Sequence, residues 1–231
     1  MSPSKNKTSF IKKTILWTLG MVYFFGIIGL SIPETCTFFK QFTPTNIFLT
    51  TLCIFILQKN LSKKFYIYSF LVFISGYFIE VIGSQTGLLF GNYSYGETLG
   101  FKIFNTPVVI GCSWLLLSVT NANTVEWIFE YLLKKNIRPN GISAKNIKIF
   151  KSMLAASLMV LLDLLIEPVA IKFNFWNWKN NHIPNSNYFF WFVFSFLFQM
   201  TFFSFNHEKS SKSMIFLLAL QWIFFIFLNL F

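Results

Sequence analysis

Residues 65–101, FYIYSFLVFISGYFIEVIGSQTGLLFGNYSYGETLGF, change character halfway along. The first eighteen, Phe65 to Ile82, are apolar apart from a few hydroxyls and one acid, Glu80. The remainder holds glycines at 83, 87, 91, 96 and 100, with Gln85, Asn92, Tyr93, Tyr95 and Glu97 among them. An apolar run of that length approaches the roughly 20 residues a helix needs to cross a bilayer. The polar run after it is too long for a simple connector and too polar to face lipid. A membrane helix that ends in a re-entrant or cap-like loop over a cavity is the preferred reading. A close-packed helix face with glycines four apart is the competing one.

Composition sets the solvent. The chain has 231 residues, of which 55% are hydrophobic, 12% charged and 33 are Phe; its mean hydropathy is +0.58. Soluble domains carry about a quarter charged residues, so this is a membrane composition. Apolar runs recur at 15–32, 45–57, 65–82, 106–120, 150–171, 188–205 and 214–231, predicting an all-α, polytopic membrane bundle of about seven transmembrane helices. The second and fourth runs are short, so their ends are the least defined. The first run contains Trp17, Tyr23, Gly26 and Gly29 and lacks the small-residue cleavage pattern of a signal peptide, which predicts a retained anchor.

Basic residues give orientation. With the N-terminus inside and the C-terminus outside, fifteen of the nineteen Lys and Arg fall in inner segments and only Lys40, Lys102, Lys172 and Lys179 fall outside. That distribution accounts for the net charge of +11 by topology and by attraction to an anionic inner leaflet. The lysines form no patch, which argues against nucleic acid as a partner. Cys36, Cys53 and Cys112 make no CxxC pair and no even framework, so they read as packing residues. The Asn/Ser/Lys-rich segment from Asn121 to Lys148 is the one stretch resembling a linker, and a single transmembrane domain over residues 1–231 is the simplest organisation.

In this topology the third run carries Glu80 outward and the fifth carries Asp163, Glu167 and Pro168 to the same end. Asp163 and Glu167, four apart, share a helix face. Pro168 deprives the Leu164 carbonyl of its helical partner, opening the helix beside two acids. The loop KFNFWNWKNNHIPNSNYFFW, residues 172–191, lies on that side too, and its Trp176 and Trp178 fit either the pocket or an interfacial belt. Ionisable groups at membrane depth are functional candidates, although acids that merely hydrogen-bond neighbouring helices would look the same in sequence.

His182 and His207 are the only histidines, too few for membrane di-iron or zinc chemistry, and no metal or cofactor is expected. Phosphate loops and nucleophile elbows are missing as well. Carboxyl groups, tyrosines and ring faces remain. Carboxyls sharing one buried layer repel as anions, so one of them is expected to hold a proton. A proton-holding acid in an aromatic pocket suits protonation of a carbon–carbon double bond, with the cation steadied by ring faces and carboxylate, then captured by water.

The segments EVIGSQTGLLFGNYSYGETLG, TPVVIGCSW, DLLIEP, WNW and PNSNYFFW, in that order over residues 76–191, resemble the carotenoid 1,2-hydratase family. That family includes bisanhydrobacterioruberin hydratases and gamma-carotene 1'-hydroxylases. The resemblance implies a carotenoid biosynthesis enzyme of a bacterial or archaeal cytoplasmic membrane. Such a hydratase, a lyase by class, adds water across the terminal double bond of an acyclic psi end group to give a tertiary alcohol without a cofactor. It implies Glu80, Asp163 and Glu167 as catalytic acids. It also implies Thr86, Tyr93, Tyr95, Trp114, Trp176, Trp178, Asn187 and Trp191 as substrate-binding residues, with a long apolar carotenoid, water and membrane lipids as partners. Two positions depart from the family pattern: an Asp-Pro becomes Glu167-Pro168, and a glycine before Trp191 becomes Phe190.

Three other functions compete. An acid-catalysed carotenoid cyclase or isomerase would form the same cation and leave mass unchanged. A non-enzymatic lipid or carotenoid carrier would favour paired broken helices, whereas Pro168 has no counterpart in the other half. Prenyl transfer would need more magnesium-binding carboxylates than Asp163 and Glu167.

Overall fold

The computed structural model describes residues 3–59, 61–135, 143–205 and 210–231. Arg138, His207 and Lys209 lie outside the described residues. Eight α-helices occur among the described residues: α1 (Pro3–Ser31), α2 (Pro33–Lys40), α3 (Thr43–Leu57), α4 (Lys63–Thr86), α5 (Val109–Lys134), α6 (Ala144–Lys172), α7 (Asn185–Ser204) and α8 (Lys212–Leu230). Segments of α1, α4, α6 and α8 are long and apolar enough to cross a membrane, and α3 is a shorter apolar helix. These helices mark the chain as an integral membrane protein. Large apolar side chains such as Trp17, Phe70, Phe189 and Leu230 stand on the outside of the bundle, an arrangement suited to lipid and costly in water.

Local chemistry fixes the helix ends. Ser62 caps α4 by accepting from the Phe65 amide at 3.2 Å, and Ser143 caps α6 by accepting from Asn146 at 3.3 Å. At its other end α4 stops at Gly87, whose φ of 67° is left-handed and whose N–H returns to the Gly83 carbonyl. Gly91 also has positive φ, 109°. The glycines at 83, 87 and 91 therefore belong to a helix end and a loop, and the competing expectation of one close-packed helix face does not hold.

α5 packs against α3, α4, α6, α7 and α8 and forms the axis of the bundle. Every residue from Val109 to Asn123 except Ser113 is buried. This helix corrects the expected linker: residues 121–134 continue α5 and residues 144–148 begin α6. The polar side chains that read as a loop satisfy themselves along the helix. Asn121 and Asn123 donate to the carbonyls of Leu117 and Val119, and the Thr120 and Thr124 hydroxyls donate to Leu116 and Thr120.

One end of the bundle is covered by the two polar loops. β1 (Tyr93–Tyr95) pairs antiparallel with β4 (Trp176–Trp178), in the register Tyr93 to Trp178, Ser94 to Asn177 and Tyr95 to Trp176. β2 (Lys102–Ile103) and β3 (Thr106–Pro107) form a second small ladder beside it. Alternation along β1 and β4 sends all four rings to the inner face and leaves Ser94 and Asn177 exposed. The clasp continues through Gly96 N–H to the Phe175 carbonyl at 2.9 Å, Lys179 N–H to Asn92 at 2.9 Å and the Thr98 hydroxyl to Phe173 at 2.9 Å.

A side chain at Gly96 would collide with the backbone oxygen of Asn174, which has no freedom to rotate away. Gly96→Ala should therefore destabilise the protein by roughly 1–3 kcal/mol, the usual penalty of overpacking. A thermal melt in detergent that coincides with that of the parent would refute this account of the clasp.

Candidate active site

Beneath the clasp three buried carboxyl groups gather. Glu80 reaches the site from the last third of α4, where it is 4% exposed. Its Oε2 accepts from the phenols of Tyr93 at 2.6 Å and Tyr95 at 2.7 Å, and its Oε1 accepts from Trp114 Nε1 at 3.0 Å. The Trp114 indole reaches it by lying against Gly76, one turn before Glu80, where a Cβ would meet the indole at 2.6 Å. Gly83, one turn nearly the other way, leaves room for Phe90 and the Tyr93 hydroxyl.

Glu167, on α6, is 1% exposed. Its Oε2 accepts from Trp176 Nε1 at 3.0 Å and Trp178 Nε1 at 2.7 Å, and its Oε1 accepts from Asn187 Nδ2 at 3.0 Å. The same amide nitrogen donates to Asp163 Oδ2 at 3.0 Å, one turn back on α6, while Asp163 Oδ1 has no partner among the described residues. Indoles and amide nitrogens only donate, so each glutamate is fitted with three donors and Asp163 with one.

Burial, followed by the neighbouring Glu80 charge, raises the phenols of Tyr93 and Tyr95 well above the ordinary tyrosine range. Both therefore keep their protons and act as donors. The ion pairs among the described residues, Lys102–Glu97 and Lys151–Glu126, involve neither Glu80, Asp163 nor Glu167. Nor do any three His, Cys, Asp or Glu among the described residues stand close enough to hold a metal ion.

A cavity of about 940 Å³ begins at these groups. Glu80, Glu167, Tyr93, Tyr95, Trp114, Trp176, Trp178, Asn187 and Trp191 line its end, so most of the residues expected from sequence meet there. Two do not. Asp163 is buried behind Asn187 and does not line the cavity. Thr86 is exposed at the end of α4, where its hydroxyl donates to the Ile82 carbonyl at 2.6 Å and accepts from the Leu88 amide. The ring centroids of Tyr93 and Trp178 lie 5.0 Å apart with the planes tilted by 42°, and the rings of Trp114 and Trp191 stack at 4.3 Å with 20° between planes.

From this polar end the cavity extends between α1 and α3 as far as Thr14 and Ile56. The distance from Thr14 to Leu30 along α1 is roughly 24 Å at the helical rise of 1.5 Å per residue. Val22, Phe25, Leu49 and Leu52 both line the cavity and stand exposed, so the seam between the two helices opens toward the lipid. The share of α1 and α3 in the pocket escaped the sequence reading, because an apolar side chain facing substrate is indistinguishable from one facing lipid. Phe90 and Leu99 were missed as cavity residues too, although Phe90 stands in the quoted Phe-Gly-Asn-Tyr segment.

A family model described as carotenoid biosynthesis protein matches residues 42–231. The chain belongs to the carotenoid biosynthesis protein family. Membership assigns it a role in carotenoid biosynthesis and extends the likeness beyond residues 76–191 to α8, leaving α1 and α2 outside the matched region. No curated protein and no solved structure matches the chain.

The tyrosine pair gives the site a pH signature. Unfolded phenols ionise near pH 10 and these two only above it, so their contribution to stability is intact below about pH 10 and is lost as pH rises through the folded values. Replacing both by Phe should flatten the alkaline fall in stability, and at neutral pH should cost roughly 1–3 kcal/mol for each donor removed from Glu80. Unfolding midpoints measured from pH 8 to 11.5 test both statements, and an unchanged alkaline slope in the double variant contradicts the first.

Proposed function

We propose that this protein is a carotenoid hydratase that adds water across the terminal C1'–C2' double bond of an acyclic psi end group to give a tertiary alcohol. The observation that carries the reading is the end of the cavity. Two carboxyl groups face a long apolar channel among aromatic rings, and among the described residues no lysine forms an ion pair with either. Such an environment favours positive charge that develops on a substrate lacking polar handles.

In this mechanism an extended polyene enters from the lipid through the α1–α3 seam and brings its end group beneath the clasp. Glu167, holding a proton, gives it to C2', and the electron pair of the double bond leaves a tertiary cation at C1'. The faces of Tyr93, Trp178, Trp114 and Trp191 and the Glu80 carboxylate steady that cation. Water attacks C1' and yields its proton to Glu80, so one water is consumed, no electron is gained or lost, and the two glutamates exchange protonation states. Asp163 acts on Glu167 through their shared Asn187 and stays out of contact with substrate. Tyr93 and Tyr95 orient the attacking water.

The same reading takes α1 and α3–α8 as seven spans of one domain in a bacterial or archaeal cytoplasmic membrane. The N-terminus lies inside and the clasp outside, in agreement with the distribution of lysines.

Expression in a bacterium that makes lycopene or gamma-carotene, grown in labelled water, should yield pigment heavier by one labelled water, with or without air. Glu80→Gln and Glu167→Gln, expressed and folded as the parent, should each lower that yield about a hundredfold or more, the usual weight of a general acid or base. Pigment of unchanged mass but altered retention would move the assignment to a cyclase or isomerase, and unaltered pigment from both hosts would reject the psi-end hydratase.

A further inference from the structure

α7 carries Asn187, Trp191, Ser195 and Gln199 at successive four-residue steps, one polar-bearing stripe on a helix otherwise rich in Phe. The stripe is buried along its whole length, with Ser195 and Gln199 at 0% exposure. On α6 its bonded neighbours are Asp163 and, one turn away from the clasp, Met159, and on α5 Ser118; Asn121 follows Ser118 three residues on, on the same side of α5. Gln199 Nε2 donates to the Ser118 carbonyl at 3.1 Å and lies 3.5 Å from Met159 Sδ, and the Ser118 hydroxyl lies 3.9 Å from that sulfur. Tyr68 of α4 meets the Ser118 hydroxyl in the same layer.

Four buried polar atoms of this core have no hydrogen-bond partner among the described residues: Asp163 Oδ1, Ser195 Oγ, Gln199 Oε1 and Asn121 Oδ1. An unsatisfied buried group is costly, and lipid supplies no substitute donor. One such atom would be an isolated imperfection. Four between the same helices, over a stripe roughly 18 Å long by helical rise, call for a shared partner. Water is the molecule that fits, since it donates to carboxyl, amide and hydroxyl oxygens alike and commonly makes about three bonds to such groups.

These residues lie apart from the substrate cavity. Trp114 and Trp191 line the cavity, whereas Ser118 and Ser195, one turn further along the same two helices, do not. The stacked indoles thus stand between hydrocarbon and polar core.

We infer that α4, α5, α6 and α7 enclose a file of internal waters that runs from Asp163 past Ser195 to Gln199 and Asn121, behind the substrate cavity. Its use rests on the hydratase reading: Glu80 returns to Glu167, by way of water in the substrate cavity, the proton it took from the attacking water, while the file lets Asp163 exchange its own proton and so set the charge that acts on Glu167 through Asn187. The existence of the file does not depend on that reading.

Pulsed hydroxyl-radical labelling in oxygen-18 water tests the file without any turnover, because radicals generated from bound water modify side chains that bulk radicals do not reach. Met159 and Met214 are both 0% exposed. In the purified full chain, Met159 should take up label several-fold faster than Met214, and Ser195→Val or, as a gentler change, Gln199→Met should bring it down to the Met214 rate. Equal labelling of the two methionines in the parent overturns the inference, whatever the pigment assay has shown. If hydration is observed, Ser195→Val should slow it several-fold and add nothing to Asp163→Asn; full activity in both variants would overturn the proton-exchange role while leaving the hydratase assignment in place.

Discussion

Glu80 and Glu167 are withdrawn from water, and each is held by three N–H or O–H donors from the loop and helix that follow it in the chain. A carboxylate moved into an apolar setting loses a large solvation energy, which only closely placed donors can offset. That requirement organises the clasp. β1 and β4 pair in the one register that turns two phenols and two indoles to the same side. A shift of one residue would send Tyr93 and Tyr95 outward and leave Glu80 with Trp114 alone. The close approach at Gly76 and Gly96 follows from the same demand, since both allow donors or their supporting strands to come near enough to bond.

The two faces of this constellation differ in chemistry. Toward α1 and α3 the glutamates meet an apolar channel open to lipid at its seam. Toward the middle of the bundle, buried Ser195 and Gln199 continue on α7 the stripe that begins at Asn187, the partner of Asp163. Hydrocarbon and polar atoms are kept apart by the Trp114–Trp191 stack. In the proposed hydratase, such separation lets one end of a membrane protein present charge to a substrate that has no polar group of its own.

Charge patterns and helix-spaced polar residues foretold part of this. The Ser195 and Gln199 pair was legible in principle, as the only polar positions continuing the Asn187 and Trp191 spacing through a Phe-rich helix. By contrast, Asn121, Asn123 and Thr124 misled, because side chains bonded to their own helix backbone look like loop residues in sequence. Thr86 misled differently: its place in a motif concealed a role at the helix end.

By itself the sequence determined that the chain is a helical membrane protein, that carboxyl and aromatic side chains are its candidate site material, and that Glu80, Asp163 and Glu167 belong to one end. These follow from composition and helical periodicity, which act locally along the chain. Only the tertiary structure decided that Glu80 and Glu167 face the cavity while Asp163 stands behind them, and that α1 and α3 form the channel wall. Those facts depend on which helix faces are apposed and on the register of two short strands about eighty residues apart, and neither is written in the spacing of residues within a single segment.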